Sequence, residues 1–423
     1  MLIPVRHRRL TVSWRDDKMP AMSGSPIHRR RVEEIQQTLC DQPGLDGWLF
    51  YDFRGSDPLA YRVLHIDPAT HVTRRWYYWL PTCGTPMKLL HRIEPHVLDC
   101  LPGATLSYVS WEEQKACLGR ILAGVRRAAM QYSPLNAIPY LSRVDAGTIE
   151  LVRSFGVEVV TSADLVQRFE AVWNDQQLDS HRAAAAALRR IVDEAFDHVR
   201  TSIERSVSLT EYGLQQFILS RMRVHGLVTA SPPIVAVDEH SADPHYTPEP
   251  TGSAEIRRGG LVLIDLWAKQ SQPGAVYADI TWTGYVGERV PARPRGIFEI
   301  VRRARDEALS FVQRHVAAGR FPCGAEVDDV CRQVVRDAGY GEQFLHRTGH
   351  SIGEDVHGNG ANIDNLETQD TRRLLPRTCF SIEPGIYLAG EFGIRSELDV
   401  YLSDRKAMVF GQPVQTEIVP ILR

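Results

Sequence analysis

No apolar run in this chain approaches the roughly eighteen residues that a membrane-spanning helix needs. Its first thirty residues also lack the apolar block of a secretory signal. The sequence therefore predicts a protein of the cytoplasm. An excess of one charge is equally missing: the formal net charge is −3 at pH 7, so bulk electrostatics ask for neither nucleic acid nor a membrane surface as a partner. Cysteine is sparse, with seven residues, odd in number, scattered and without a CxxC pair. That speaks against a disulfide framework or a thiolate zinc site and predicts reduced core residues. There is no low-complexity tract.

What is present is ordinary globular composition, 43% hydrophobic and 24% charged over 423 residues, enough for two or three domains with a large core. Residues 1–24 read as a disordered leader. Their basic bias continues to Arg31, and a true start at Met19 or Met22 is an alternative. Residues 25–174 alternate short apolar runs ("GWLFYDF", "RRWYYWL", "VEVV") with helical stretches ("CLGRILAGVRRAAM"), as an α/β domain does. The polar "NDQQLDS" is the expected boundary. An alanine-rich helix follows it, then a second helix that Thr210 can cap. Residues 175–423 then read as an α+β domain.

Two strand pairs in that domain carry carboxylates where carboxylates are costly. Asp265 lies inside "LVLIDLW", where an unpartnered charge costs several kcal/mol to bury. Asp279 lies fourteen residues later in the returning strand, so a hairpin centred on Gln272 sets the two opposite one another on one face. Glu383 and Glu397 repeat the spacing around Gly390. Facing like charges repel unless a proton or a cation lies between them. Each acid alone can be satisfied by backbone or arginine, and the register argument requires hairpins without bulges. Taken together, the four point to a pair of divalent cations. With one imidazole, oxygen ligands suit Mn²⁺, Co²⁺, Fe²⁺ or Zn²⁺, held about 3.5–4 Å apart to activate a shared water. The imidazole is at hand in "HRTGHSIGEDVHGNG", where His346, His350 and His357 fall within twelve residues amid glycines.

These residues resemble the pita-bread metallopeptidases, the family of methionine aminopeptidase, aminopeptidase P, prolidase and the metal-free creatinase, over about residues 178–422. "LIDLWAK…YADITWTGYVG", "HRTGHSIG", "SIEPGIY" and "GIRSELD" carry the likeness. The resemblance implies a C-terminal pita-bread domain whose metal ligands are Asp265, Asp279, His350, Glu383 and Glu397. Asp265 would hold one ion, His350 and Glu383 the other, and Asp279 and Glu397 would bridge. In the aminopeptidase P and prolidase branch, the positions of His245, His346 and His357 surround the substrate carbonyl, and Arg395 stands beside the last glutamate. Gly349 and Gly353 would let the backbone approach the ions. The N-terminal part resembles the same branch through "GWLFYDFRGSDPLAYRVL", a creatinase-like domain that caps a neighbouring subunit in relatives, and so implies a homodimer.

The chain departs from that pattern in a longer tip between Asp265 and Asp279, in Gly358 after His357 and in Trp267. The function these features imply is hydrolysis of the peptide bond preceding proline, in Xaa-Pro dipeptides or N-terminal Xaa-Pro peptides, by a hydroxide held between two divalent ions, Mn²⁺ foremost. Glu383 would carry the proton, His357 and His245 would stabilise the oxyanion, and His346 and Arg395 would orient the substrate. A creatinase-like amidohydrolase acting on a small non-proline amide and a non-catalytic binding module of the same fold are the alternatives.

Overall fold

The computed structural model describes residues 24–423, so the expected leader lies, up to residue 23, outside the described residues. Contacts divide the chain into two compact units, one holding residues up to Met130 together with Val144–Val160, the other Gln131–Arg143 together with Thr161–Arg423.

In the first unit, helix α1 (Pro26–Cys40) starts on the Ser25 cap with proline in its first turn. The apolar runs become strands β1 (Gly47–Asp52) and β2 (Trp76–Pro81), whose residues are buried save Pro81 at the end of β2. Between them lies α2 (Pro58–Leu64). β3 (Met87–His91), β4 (Ala104–Tyr108), α3 (Trp111–Ile121), β5 (Arg127–Met130), α4 (Ala146–Arg153) and β6 (Glu158–Thr161) complete a sheet of order β4-β3-β2-β1-β5-β6. The expected helix over "CLGRILAGVRRAAM" is half right. It stops at Ile121, Gly124 turns the chain at φ +83°, and the remainder forms β5 beside β1.

In the second unit, α5 (Ala163–Glu170) precedes α6 (Asp175–Glu204), which opens on a capping box between Asn174 and Gln177. α7 (Glu211–Val224) is capped by the Thr210 hydroxyl, which accepts from Gly213 N at 3.1 Å. Short strands β7 (Leu227–Val228) and β8 (Ile234–Val237) lead to the long pair β9 (Leu261–Gln270) and β10 (Ala278–Tyr285). The alanine run of α6 lets the helix lie close on this pair: Ala184, Leu188, Ile191 and Ala195 pack with Val262, Ile264, Leu266 and Ile280. Strand alternation then turns Asp265 and Asp279 to the opposite face.

α8 (Ala292–Ala317) and α9 (Gly324–Asp337) play the same part for the second strand group. That group comprises β11 (Ser351–Ile352), β12 (Cys379–Ile382), β13 (Gly385–Leu388), β14 (Phe392–Arg395), β15 (Leu398–Leu402) and β16 (Ala407–Val409), while β17 (Val419–Pro420) joins β10. Val301, Val312 and Val335 pack with Phe380, Ile382, Leu398 and Val400, leaving Ser381 and Asp399 on the other face. The result is α+β, as the family resemblance implies.

Two expectations need correction, and one glycine gains a packing role. The first hairpin is not centred on Gln272: Asp265 faces Thr281 and Asp279 faces Trp267. The displacement is two residues, so both acids keep one face. Only Cys117, Cys331 and Cys379 are buried, whereas Cys40 and Cys83 are exposed, although all seven cysteines are free. Gly349 has a packing requirement of its own. A Cβ there would lie 1.9 Å from the Ser381 carbonyl oxygen, so glycine is required for the loop to pack on β12, while Gly353 meets nothing closer than 3.9 Å.

Candidate metal centre

Glu383 and Glu397 sit where the second hairpin breaks. Ile382 pairs with Leu398 and Gly385 with Arg395, one continuous register that places the glutamates opposite each other, as their spacing implies. Pro384 lacks the N–H that would carry the ladder through. The histidine loop meets this break from the side: His350 N donates to Ser381 Oγ at 3.0 Å, and Ser381 Oγ donates to Glu383 Oε1 at 3.0 Å.

Donor atoms of Asp279, His350 and Glu397 all lie within 4.8 Å of one another, and all three residues are buried. His350 Nδ1 is 3.2 Å from the Ser351 carbonyl oxygen, to which it can only donate. Its Nε2 therefore carries a lone pair, and that lone pair faces Glu383 Oε1 at 3.4 Å and Asp279 Oδ2 at 3.7 Å. Lone pair against carboxylate is repulsive at both contacts. Asp265 Oδ1, Asp279 Oδ1 and Glu397 Oε1 are buried and have no donor among the described residues. Such an arrangement of oxygens and one imidazole suits a cation and matches the ligand preferences of divalent first-row metals. The residues present fit the group.

Electrostatics tell the same story. Burial, then Asp265 and Asp399, pushes the Asp279 carboxyl well up. Burial and Asp279 do so for Glu397, and Glu383 is raised by burial to about 7. Burial, with His357 beside it, holds the His350 imidazole well below its ordinary value.

Asp265 is the acid already paired. Arg395 Nη2 donates to its Oδ2, Nε donates to Thr281 Oγ1 at 3.1 Å, and Nη1 to Tyr387 Oη at 3.0 Å. The Arg395 guanidinium, expected beside the substrate, is thus spent on the wall of the site. His346 is tied to the same wall. Its Nδ1 donates to the Arg347 carbonyl at 2.7 Å, so its Nε2 accepts from the Tyr387 hydroxyl at 2.7 Å, and burial together with Arg395 lowers it to about 3. His357 stands edge-on to His350, ring centroids 4.4 Å apart, and is lowered to about 4 by burial and then by Arg347. His245 is exposed, on a loop anchored by buried Glu211, whose carboxylate accepts from Val237 N, Tyr246 Oη and Ala254 N at 2.7–2.8 Å.

Sequence reasoning missed several supporting residues. Thr281 Oγ1 donates to Glu397 Oε2 at 2.7 Å, and Asp399 Oδ2 accepts from Asp279 N at 2.8 Å. The register partner of Asp265 would have revealed Thr281. Nothing local marks Tyr387.

The profile of metallopeptidase family M24 matches residues 179–404. A protein of Mycobacterium tuberculosis named probable dipeptidase PepE is 28% identical over 348 residues, 81% of this chain and 85% of its own length. The Xaa-Pro dipeptidase of Lactobacillus delbrueckii subsp. lactis is 29% identical over 237 residues, 56% of this chain and 58% of its own. Among solved structures, dipeptidase PepE from Mycobacterium ulcerans superposes with a TM-score of 0.67 at 25% identity, covering 93% of this chain and 98% of that one. A prolidase from Thermococcus sibiricus gives 0.59 at 23% identity, over 94% and 100%, a likeness of fold. The chain belongs to metallopeptidase family M24 and has its pita-bread fold.

Proposed function

We propose that this chain is a dinuclear metal-dependent hydrolase of the peptide bond preceding proline, acting on Xaa-Pro dipeptides or at the N-terminus of Xaa-Pro peptides. The observation that carries this reading is the His350 lone pair aimed at Glu383 and Asp279, among buried carboxylate oxygens without donors. That a relative is named Xaa-Pro dipeptidase supports the choice of bond. Asp265, Asp279, His350, Glu383 and Glu397 would hold two divalent ions, Mn²⁺ foremost, with Co²⁺, Zn²⁺ or Fe²⁺ as alternatives. Bound there, such ions supply a water that ionises near neutral pH and polarise the carbonyl under attack.

The chain's own groups do the rest. Glu383, oriented by the Ser381 hydroxyl, takes the proton of the attacking water at its carboxylate and passes it to the imino nitrogen of proline, a poor leaving group until protonated. His357, neutral at pH 7, donates an N–H to the carbonyl oxygen as charge develops, and His245 assists from its exposed loop. One well-placed donor of this kind is worth about 3–4 kcal/mol of barrier. His346 and Arg395 act at one remove, fixing Tyr387 and Asp265. Free thiols at all seven cysteines support a reducing compartment, so the reading is of a cytoplasmic enzyme. By resemblance of its N-terminal part it is a homodimer, which light scattering checks.

The test is elemental analysis of protein purified without chelator, alongside hydrolysis of an Xaa-Pro dipeptide, an Xaa-Pro tripeptide and the matching Xaa-Ala dipeptide. About two equivalents of a divalent metal and selective Xaa-Pro cleavage are expected. Protein that binds no metal after growth in manganese-rich medium, or that cleaves no Xaa-Pro bond with any of the four metals, refutes the reading. Trp267, directly opposite Asp279, and Gly358 favour a second reading, a creatinase-like amidohydrolase. Cleavage of small N-acyl or guanidino amides in place of peptides would establish it.

A further inference from the structure

The first unit holds a cavity that the metal centre does not use. Its sheet sets β1 parallel to β5 and β3 parallel to β4, with β2 running against its neighbours between them. The carboxyl ends of β1, β3 and β4 therefore share one edge, and at such an edge open α/β sheets bind their ligands. A cavity of about 840 Å³ lies there, enough for a small organic molecule. Every residue that lines it belongs to the first unit.

The charge of this cavity is one-sided. Arg54, Arg74 and Arg75 line it, and none of them has a carboxylate within ion-pair distance among the described residues. Arg74 Nη1 reaches only the Thr73 carbonyl at 3.3 Å and the Thr73 hydroxyl at 3.1 Å, while the Arg54 guanidinium carbon lies 5.9 Å from the centre of the Phe53 ring. The Arg75 guanidinium donates to no described residue. Asp145 is the one acid in the lining, and both its oxygens are taken: Oδ1 accepts from Thr148 N at 2.9 Å and Oδ2 from Thr148 Oγ1 at 2.8 Å. His91 adds no charge, since its Nδ1 accepts from Ile93 N at 3.1 Å and its Nε2 donates to Val109 O at 3.2 Å.

The arginines are also held in place. Glu94 accepts from Thr73 N at 2.9 Å and Arg74 N at 3.1 Å, and the buried Tyr108 donates its hydroxyl to Arg75 O at 2.7 Å. A backbone pinned at three successive residues fixes where the guanidiniums start. Flat apolar surface stands beside them: Trp111 is 67% exposed and Phe53 42%, and large rings left in water around a cavity mark a binding site. We propose that this cavity binds a small aromatic anion of two or more charges, a nucleoside monophosphate by class, with its phosphate on the arginines, Arg75 foremost, and its ring on Trp111. Guanidiniums grip phosphate oxygens in a two-pronged way, and a base stacks on an aromatic side chain whatever its sequence of atoms. The inference stands apart from the reading of the metal centre.

The experiment is titration calorimetry of the full-length protein with adenosine monophosphate, uridine monophosphate, adenosine and inorganic phosphate. Because phosphate also binds divalent metal, each titration is run on metal-loaded and on chelated protein. Arg75→Ala and Trp111→Ala, checked by circular dichroism, complete the set. One mononucleotide per chain is expected in both forms, with adenosine and inorganic phosphate each weaker by at least about tenfold, a comparison that needs no variant. Arg75→Ala should weaken the mononucleotides by roughly ten- to a hundredfold. Trp111→Ala should weaken them by roughly tenfold and leave inorganic phosphate unchanged. Mononucleotide binding that vanishes on chelation belongs to the metal centre and overturns the inference, as does an affinity that survives in Arg75→Ala. Silence from both nucleotides up to about 1 mM overturns it as well, and so does a loss in Trp111→Ala that is as large for inorganic phosphate.

Discussion

Replacing Asp328 with alanine removes the keystone of the histidine loop. Asp328 and Arg332 are one helical turn apart on α9, 0% and 2% exposed, and joined through both carboxylate oxygens at 3.0 Å. The carboxylate also accepts from Thr348 N at 3.0 Å and Asn365 N at 3.2 Å, while the guanidinium donates to Phe344 O at 3.1 Å and His346 O at 2.9 Å. One buried pair thus grips the chain at positions 344, 346, 348 and 365. Removing one partner of such a pair costs about 3–5 kcal/mol because the other charge is left buried, and each stranded amide adds about 1 kcal/mol. A loss of about 5 kcal/mol in Asp328→Ala follows, which for a domain of this size lowers Tm by about 10–20 °C.

Arg332→Met and Asp328→Leu, the two single variants of the cycle, should each be similarly costly. The double variant Asp328→Leu with Arg332→Met should recover much of the loss, giving a coupling of about 3 kcal/mol in urea unfolding of metal-free protein. Additive effects, or an Asp328→Ala cost below about 1 kcal/mol, would refute the reasoning. Because Thr348 precedes His350 by two residues, Asp328→Asn should also weaken Mn²⁺ binding in titration calorimetry, even where the fold survives.

Further outcomes are accessible with the same protein. Glu383→Gln and Asp279→Asn should each abolish hydrolysis while far-ultraviolet circular dichroism stays native, and retained turnover in either would break the assignment. Gly349→Ala, whose new methyl would lie 1.9 Å from Ser381 O, should cost about 2–3 kcal/mol in urea unfolding by forcing the loop off β12. Wild-type stability there would show that the loop gives way freely. Burial lowers the His181 imidazole from 6.5 to about 4. Between those values the unfolded chain binds the proton that the folded one refuses, so stability is intact above pH 6.5 and erodes as pH falls toward 4, by about 3 kcal/mol. The Tyr277 carbonyl, 2.8 Å from His181 Nδ1, works in the opposite direction, and Arg182 adds to the lowering. Urea midpoints from pH 6.5 to 4.5 should fall more steeply for the chelated wild type than for His181→Asn. Equal slopes would assign the acid sensitivity elsewhere.

What the sequence made legible follows from what each group costs to bury. An aspartate inside "LVLIDLW" is an anomaly of several kcal/mol, and four such anomalies at matched spacing can be read without coordinates. Parity protects the inference further. The tip between Asp265 and Asp279 is asymmetric because Val276 N leaves the ladder for Ser180 Oγ and Tyr277 N for the Gly353 carbonyl. The register slips by an even number, and both acids stay on the face turned away from α6. An odd slip would have put one of them into the α6 core, where no partner waits.

The hydroxyls and the remote acids gave no such warning. Thr281 in a strand costs little, and Tyr387 in "PGIYL" reads as one more apolar residue. Their value comes from partners far along the chain, Glu397 for Thr281 and His346 for Tyr387, and local periodicity carries no information about such pairs.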